Sequence, residues 1–257
     1  MPVNKTKIED VLTIDAQGVY YRELNKQIRE ELKKGCKRFR LKNVNGQRYI
    51  GTGLVGNDVV IEVEGVPGND LGAFMDGPTL VISGNAQDGI ANTMNEGKII
   101  IHGDAGDVLG YGMRGGKLFV KGDVGYRVGI HMKEYKTKVP VIIAGGVAGD
   151  FLGEYMAGGI LILLGHRAEG VPLAGDYLGT GMHNGVVYLK SNEDIEEYRL
   201  GQEISLLELT DEDNKLLDTL LKEYCADFKL DFDKTRQGRF LKYKAISSRP
   251  YGKLYAY

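Results

Sequence analysis

Between residues 65 and 190 short apolar runs recur at near-regular intervals, each preceded by a glycine-rich polar stretch. The runs read TLVIS, KIIIH, KLFVK, VIIA, ILILL and VVYLK. Alternate positions within them are aliphatic: Leu80/Ile82, Ile99/Ile101, Leu118/Val120, Val141/Ile143, Leu161/Leu163 and Val187/Leu189. That is the period of a β-strand with these pairs facing a core. The residues between them, such as Val81, Ile100, Phe119, Ile162 and Tyr188, are also apolar. The outer face is therefore expected to be covered too.

The polar stretches share one phrase. Besides the first residue, the methionines are Met75, Met94, Met113, Met132, Met156 and Met182, at successive spacings of 19, 19, 19, 24 and 26. Six residues before each stand Asn69, Asp88, Asp107, Tyr126, Asp150 and Asp176. Three before stand Gly72, Ala91, Gly110, Gly129, Gly153 and Gly179, and three after stand Pro78, Gly97, Gly116, Tyr135, Gly159 and Gly185. The repeat is D-x-x-G-x-x-M-x-x-G followed by a strand. A unit this short cannot bury its own face, but stacked units can, each strand ~4.8 Å from the last. Glycines suit corners that need positive φ, the Asx side chains can bond their own turns, and unbranched methionine fills an inner corner.

The expected fold is mainly β: a right-handed parallel β-helix of about six coils, one strand to a coil. A leucine-rich repeat is excluded by the absence of a leucine column. A hexapeptide helix is excluded because the 19-residue spacing is not a multiple of six. A propeller blade needs ~40–50 residues.

The flanks differ, and three regions are expected: an α/β cap over 1–64, the β-helix over 65–190, and a helix with an extended arm over 191–257. VLTIDA reads as a strand, and YRELNKQIREELKKG as a helix with Leu24, Ile28 and Leu32 on one face and Gly35 as C-cap. Asn45-Gly46 between KRFRLKNV and QRYIGTGL reads as a β-hairpin. Thr210 with Asp213 marks a helix start, followed by the apolar face Leu216, Leu217, Leu220, Leu221 and Tyr224. The aromatic end, RPYGKLYAY, reads as an arm that docks on something.

Composition narrows the function. The 257 residues hold 37 glycines, about twice the ~7% average share, and 28 of them lie between Gly65 and Gly185. Thirty-three basic and 35 acidic residues give a net charge of -2, which disfavours a phosphate-driven nucleic-acid binder. No apolar stretch reaches the ~20 residues of a membrane span. The opening MPVNKTKIEDVLTIDA lacks an apolar signal-peptide core, so a cytoplasmic setting is expected. Two cysteines, Cys36 and Cys225, exclude a disulfide framework, a zinc ribbon or an iron–sulfur cluster built by this chain alone.

Candidate chemistry is sparse. Gly110-Tyr-Gly112-Met-Arg-Gly115 is a literal G-x-G-x-x-G, yet a strand follows it where a dinucleotide fingerprint opens a helix. Gly115-Gly116-Lys117 lacks the first glycine and the Ser/Thr of a P-loop, and Gly145-Gly146-Val-Ala-Gly149-Asp150 occurs once only. Asp88, Asp107, Asp150 and Asp176 can stack along one edge, as turn residues or as a cation ladder; Tyr126 interrupts them, which favours turns. His102, His131, His166 and His183 occupy different repeat offsets and form no stack. Ser83 and Ser191 lie in no nucleophile elbow, and both cysteines read as packing residues. No catalytic, cofactor-binding or metal residue is therefore assigned.

The stretch Gly106-Asp-Val-Leu-Gly110-Tyr-Gly112-Met-Arg-Gly115-Gly116-Lys-Leu118 closely resembles the G-x-G-x-G repeat in the C-terminal domain of the large subunit of glutamate synthase. Gly65-Val-Pro-Gly-Asn-Asp-Leu-Gly72-Ala-Phe-Met looks like that domain's opening coil, and IDAQGVYYRELN and SRPYGKLYAY resemble its stand-alone versions. A β-helix subunit of formylmethanofuran dehydrogenase carries a similar repeat. The first resemblance implies a girder without catalytic residues, set between glutaminase and flavin domains. That enzyme class makes two glutamates from glutamine, 2-oxoglutarate and reducing equivalents. Its chemistry belongs to an N-terminal cysteine, FMN and an iron–sulfur cluster. This chain begins Met-Pro and lacks a cysteine cluster, so none of those roles transfers to a residue here.

The reading that results is a non-catalytic scaffold with FMN-binding and glutamine amidotransferase subunits as partners, those partners holding FMN and the cluster. The apolar outer strand positions and the aromatic tail are expected to contact them. The alternatives are a scaffold in a formyl dehydrogenase complex and a β-helix acting on polysaccharide. Self-association into a homo-oligomer is compatible with all three.

Overall fold

The computed structural model describes residues 5–8, 11–166, 168 and 170–246. Its strands form one sheet in the order β1-β2-β3-β4-β5-β6-β7-β8-β9-β10-β12-β11. The series begins with β1 (Lys5–Ile8), β2 (Val11–Asp15), β3 (Arg38–Asn45) and β4 (Val60–Val66). It continues through β5 (Asp76–Ile82), β6 (Glu96–Ile101), β7 (Lys117–Val120) and β8 (Val141–Ala144) to β9 (Ala157–Leu163) and β10 (Asn184–Lys190). From β2 to β10 every neighbouring pair is parallel. β1 adds antiparallel at one end, and β12 (Phe240–Ala245) and then β11 (Ile204–Leu207) add antiparallel at the other. A second line of single bridges joins Ala86, Ala105, Val124, Ala148 and Ala174 coil to coil. The chain thus winds as a parallel β-solenoid, as the spacing of the methionines implies.

Cross-strand register builds two internal stacks. One runs Leu80–Ile99–Leu118–Ile142–Leu161–Val187 and the other Ile82–Ile101–Val120–Ala144–Leu163–Leu189. All of these side chains are buried in one cluster. In the fourth coil the inward residues are Ile142 and Ala144, not Val141 and Ile143, which lie in the outer cluster. β8 is buried at every position, so its alternation carries no phase, and the inserted loop before it removes the 19-residue ruler.

The hairpin expected at Asn45-Gly46 does not form. β3 has both edges occupied by parallel partners, β2 and β4, and the Gly46 N–H donates onward to the Val66 carbonyl. QRYIGTGL is a solenoid corner instead, with Leu54 in the methionine position. The Asp76 N–H donates to the Leu54 carbonyl just as the Asn95 N–H donates to that of Met75. The parallel ladder therefore begins before the glycine-rich stretch.

Two helices sit on this solenoid. α1 (Tyr21–Lys33) buries Leu24 and Ile28 in the inner cluster, and Gly35 and Cys36 close its end by donating to the Leu32 and Glu31 carbonyls. α2 (Asp211–Phe228) starts with the reciprocal Thr210–Asp213 capping box. Its Leu217, Leu220, Leu221, Tyr224 and Phe228 pack on Phe119, Val141, Ile143, Ile162 and Tyr188, the outer side of the sheet. A short helix, α3 (Phe232–Arg236), leads back to β12. The apolar outer positions expected to contact other subunits are thus covered from Ile100 onward by this chain's own helix. The arm at RPYGKLYAY lies outside the described residues.

Candidate functional site

Opposite the sheet, the phrase from Asp to Met forms a corner whose hydrogen bonds run in alternate directions. The Val108 and Gly112 N–H groups donate forward to Tyr126 and Ile130 carbonyls, while the Gly110 N–H donates back to that of Ile90. Val108, Gly110 and Gly112 have φ of 60°, 66° and 56°. The pattern imposes a left-handed backbone on whatever residue stands there, Ala91, Arg127, Phe151 and Tyr177 included. Gly110 has a second constraint, because a Cβ there would strike the Ile142 side chain of the inner stack. Gly72, Gly129, Gly153 and Gly179 hold the same position at φ of 67°, 75°, 72° and 67°.

Met75, Met94, Met113, Met132, Met156 and Met182 are all fully buried. The ε-methyls of Met94 and Met132 fill the space over Gly116 and Gly159, each in the following coil. Each of these methionines therefore interlocks with the glycine three residues past the next coil's methionine.

The aspartate column acts between coils rather than within its own turns. Asp88 Oδ1 accepts from the Asp107 N–H at 2.9 Å, Asp107 Oδ1 from that of Tyr126 at 2.8 Å, and Asp150 Oδ1 from that of Asp176 at 2.9 Å. A parallel ladder, Asn85 to Asp104 to Asp123 to Val147, uses the same contact at 2.9 Å throughout. Each acceptor oxygen sits where the next coil has glycine: a Cβ on Gly106, Gly125 or Gly175 would collide with Asp88, Asp107 or Asp150. The sequence signal for this was the Gly-Asp pair recurring one coil later. No group of three or more His, Cys, Asp or Glu side chains able to hold a metal occurs among the described residues.

The other candidates are dispersed. The G-x-G-x-x-G at Gly110 lies in the corner and is followed by β7, with Met113 turned into the core. His102 packs edge-on against Phe228 of α2 at 5.1 Å, and burial lowers its pKa; burial lowers that of His166 too. His131 stacks on Tyr155 at 5.3 Å, and His183 Nδ1 is buried without a hydrogen-bond partner. Burial pushes the Cys225 thiol up, which disfavours a reactive thiolate, and the half-buried Cys36 donates to the Arg38 carbonyl at 3.5 Å. The Ser191 hydroxyl closes its own turn on the Glu193 carbonyl at 2.7 Å.

Charge is concentrated where α2 meets the sheet. Lys98 and Lys117 bridge to Glu223, and Lys98 also to Asp227. Burial raises the Glu223 pKa, but hydrogen bonds from Lys117 and Lys98 outweigh it and leave it lowered. Asp213 is the tightest junction: it accepts from the Tyr188 hydroxyl at 2.5 Å and the Lys242 ammonium at 2.6 Å. Burial opposes its charge, yet those bonds and Thr210 hold its carboxyl well below the usual range.

Among the described residues the corner face is uncovered. Phe151 stacks on Tyr177 at 4.9 Å with Arg127 over Phe151 at 4.5 Å, and Tyr111 meets His131 edge-on at 5.7 Å. Tyr126, Tyr177, Tyr155 and Tyr111 remain 53%, 51%, 45% and 41% exposed. These two aromatic lanes were not read from the sequence, because their columns vary in residue type.

Two comparisons bear on the whole chain. The family model described as the GXGXG motif matches residues 22–245. A Methanocaldococcus jannaschii protein described as uncharacterized is 47% identical over 256 residues, covering 96% of this chain and 97% of the relative. Among the described residues, no helix is long and apolar enough to cross a membrane.

Proposed function

We propose that this chain, which belongs to the GXGXG-motif family typified by the C-terminal domain of the glutamate synthase large subunit, is a non-catalytic scaffold in a glutamate synthase-type complex. It would link an FMN-binding subunit to a glutamine amidotransferase subunit in glutamate formation from assimilated ammonia, in the cytoplasm. One observation carries the reading: the repeat's functional-looking side chains are already committed to holding coil on coil. The methionines fill the inner corner, and the aspartates bond the next coil's backbone. Cys36 and Cys225 are only two, short of the four thiolates a cluster needs, which supports assigning the iron–sulfur cluster to a partner. The same holds for FMN, for which the corner glycines, followed by a strand, provide no phosphate-binding helix start.

The chain co-expressed untagged with tagged FMN-binding and amidotransferase subunits is expected to co-purify with them in fixed stoichiometry. Its isolation always alone would overturn the reading.

A further inference from the structure

The corner face has one notch. In the column occupied by Val108, Arg127, Phe151 and Tyr177 on later coils, the second coil has Gly89. The missing side chain leaves a cavity of about 320 Å³ walled by Asp70, Asp88, Asn92, Val108 and Tyr111. Two carboxylates and an aromatic ring are among the groups that line it. Asp88 Oδ1 accepts from the Asp107 N–H, and Asp70 Oδ1 from Asn92 Nδ2 at 3.2 Å. Neither bond neutralises a charge, and no lysine or arginine among the described residues lines the cavity.

We infer that the corner face docks a basic protein surface and that this notch seats one of its arginine or lysine side chains. The inference rests on the scaffold reading, since it supplies the face by which such a scaffold holds a partner. Charge selects the occupant. Asp104, Asp107, Asp123 and Asp150 extend the acidic lane beside the notch, although the chain's net charge is only -2. A guanidinium in the notch has the Asp70 and Asp88 carboxylates and the Tyr111 ring as lining groups, gaining charge-assisted hydrogen bonds and a cation–π contact. An acidic partner meets like charge there. Tyr111, His131 and Tyr155 continue from the notch as an apolar strip for the surface around that side chain.

The fold offers clean variants. Asp70→Asn with Asp88→Asn keeps both acceptor oxygens, as Asn85 does in the sister ladder, and removes both charges. Gly89→Arg fills the notch from within, at a left-handed position like that of Arg127, with its Cβ 3.0 Å from Asp70 Oδ1, a side-chain atom that must shift slightly.

The 15N-labelled full chain is titrated with the peptide acetyl-Gly-Arg-Arg-Gly-amide and with its citrulline counterpart. The arginine peptide is expected to shift the amides of Gly89, Asn92 and Tyr111, and the citrulline peptide to leave them in place. Affinity should fall roughly tenfold in the double Asn variant and vanish in Gly89→Arg. Absence of those shifts, or equal binding by all three proteins, overturns the inference. Co-purification reads the scaffold proposal separately. Subunits retained equally by wild type and both variants refute the notch alone, whereas arginine-peptide binding at the notch by a chain that retains no subunit refutes the scaffold alone.

Discussion

The solenoid turns two kinds of surface outward, and the chain treats them differently. The sheet side presents Phe119, Val141, Ile143, Ile162 and Tyr188, and α2 covers them with five large apolar side chains and an ion-pair border of Lys98, Lys117, Glu223 and Asp227. The corner side presents stacked tyrosines beside a lane of aspartates, and no helix lies over it among the described residues. The same repeat generates both. Coverage is decided by residues after Lys190: among the described residues they cover the sheet side and leave the corner side bare.

The largest test of that contrast is Asp213→Ala. It leaves Lys242 and Tyr188 buried without their acceptor and removes half of a capping box, a loss of about 3–5 kcal/mol. Urea unfolding measures it, and a loss below about 1 kcal/mol would mean that α2 is not locked to the sheet. The same junction sets a pH window. Asp213 has a folded pKa below its unfolded value of about 3.9, so its stabilisation is present above that value and lost as pH falls through the folded one. His102 and His166, with lowered pKa values, begin the decline earlier, as pH falls below about 6.5. Tyr188 acts at the other end: its raised pKa means stability is retained up to about pH 10 and lost above it.

Leu221→Ala, at a fully buried position on the sheet-facing side of α2, is expected to cost about 2–5 kcal/mol by the same measurement. Gly106→Ala comes next, because its Cβ collides with the Asp88 carboxyl, at about 1–3 kcal/mol. Combining it with Asp88→Ala should recover part of that loss; strict additivity would mean that glycine and aspartate do not interlock. Tyr155→Ala, on the bare side, should change stability by no more than about 1 kcal/mol while weakening partner retention. A large destabilisation there would erase the contrast between the two sides.

Much of this architecture was legible beforehand, for physical reasons that differ by element. Methionine is scarce enough that a column of it, five of six copies standing six residues past an Asx and all six three past a small residue, exposes the coil period. Thr210 and Asp213 announce α2 through paired side chain–backbone bonds that few other contexts need. Val141 misled because a strand buried on both sides has no polar beat to set its phase. Asn45-Gly46 misled because a two-residue turn signal is local, whereas both edges of β3 were claimed by strands 20 or more residues away. The ladders were half visible: the aspartates stood out, but their partners are one coil on, a relation that only the recurring Gly-Asp pair records. The notch at Gly89 left no mark at all, being an absence in a column whose other members share nothing but their backbone.

Reconstitution tests the central claim most directly. The purified chain is mixed with FMN-binding and glutamine amidotransferase subunits, and glutamine-dependent glutamate formation from 2-oxoglutarate is followed with a supplied reductant. The account predicts no turnover by this chain alone and coupled activity only when all three are present. Turnover by the isolated chain, or full coupled activity without it, would contradict the account.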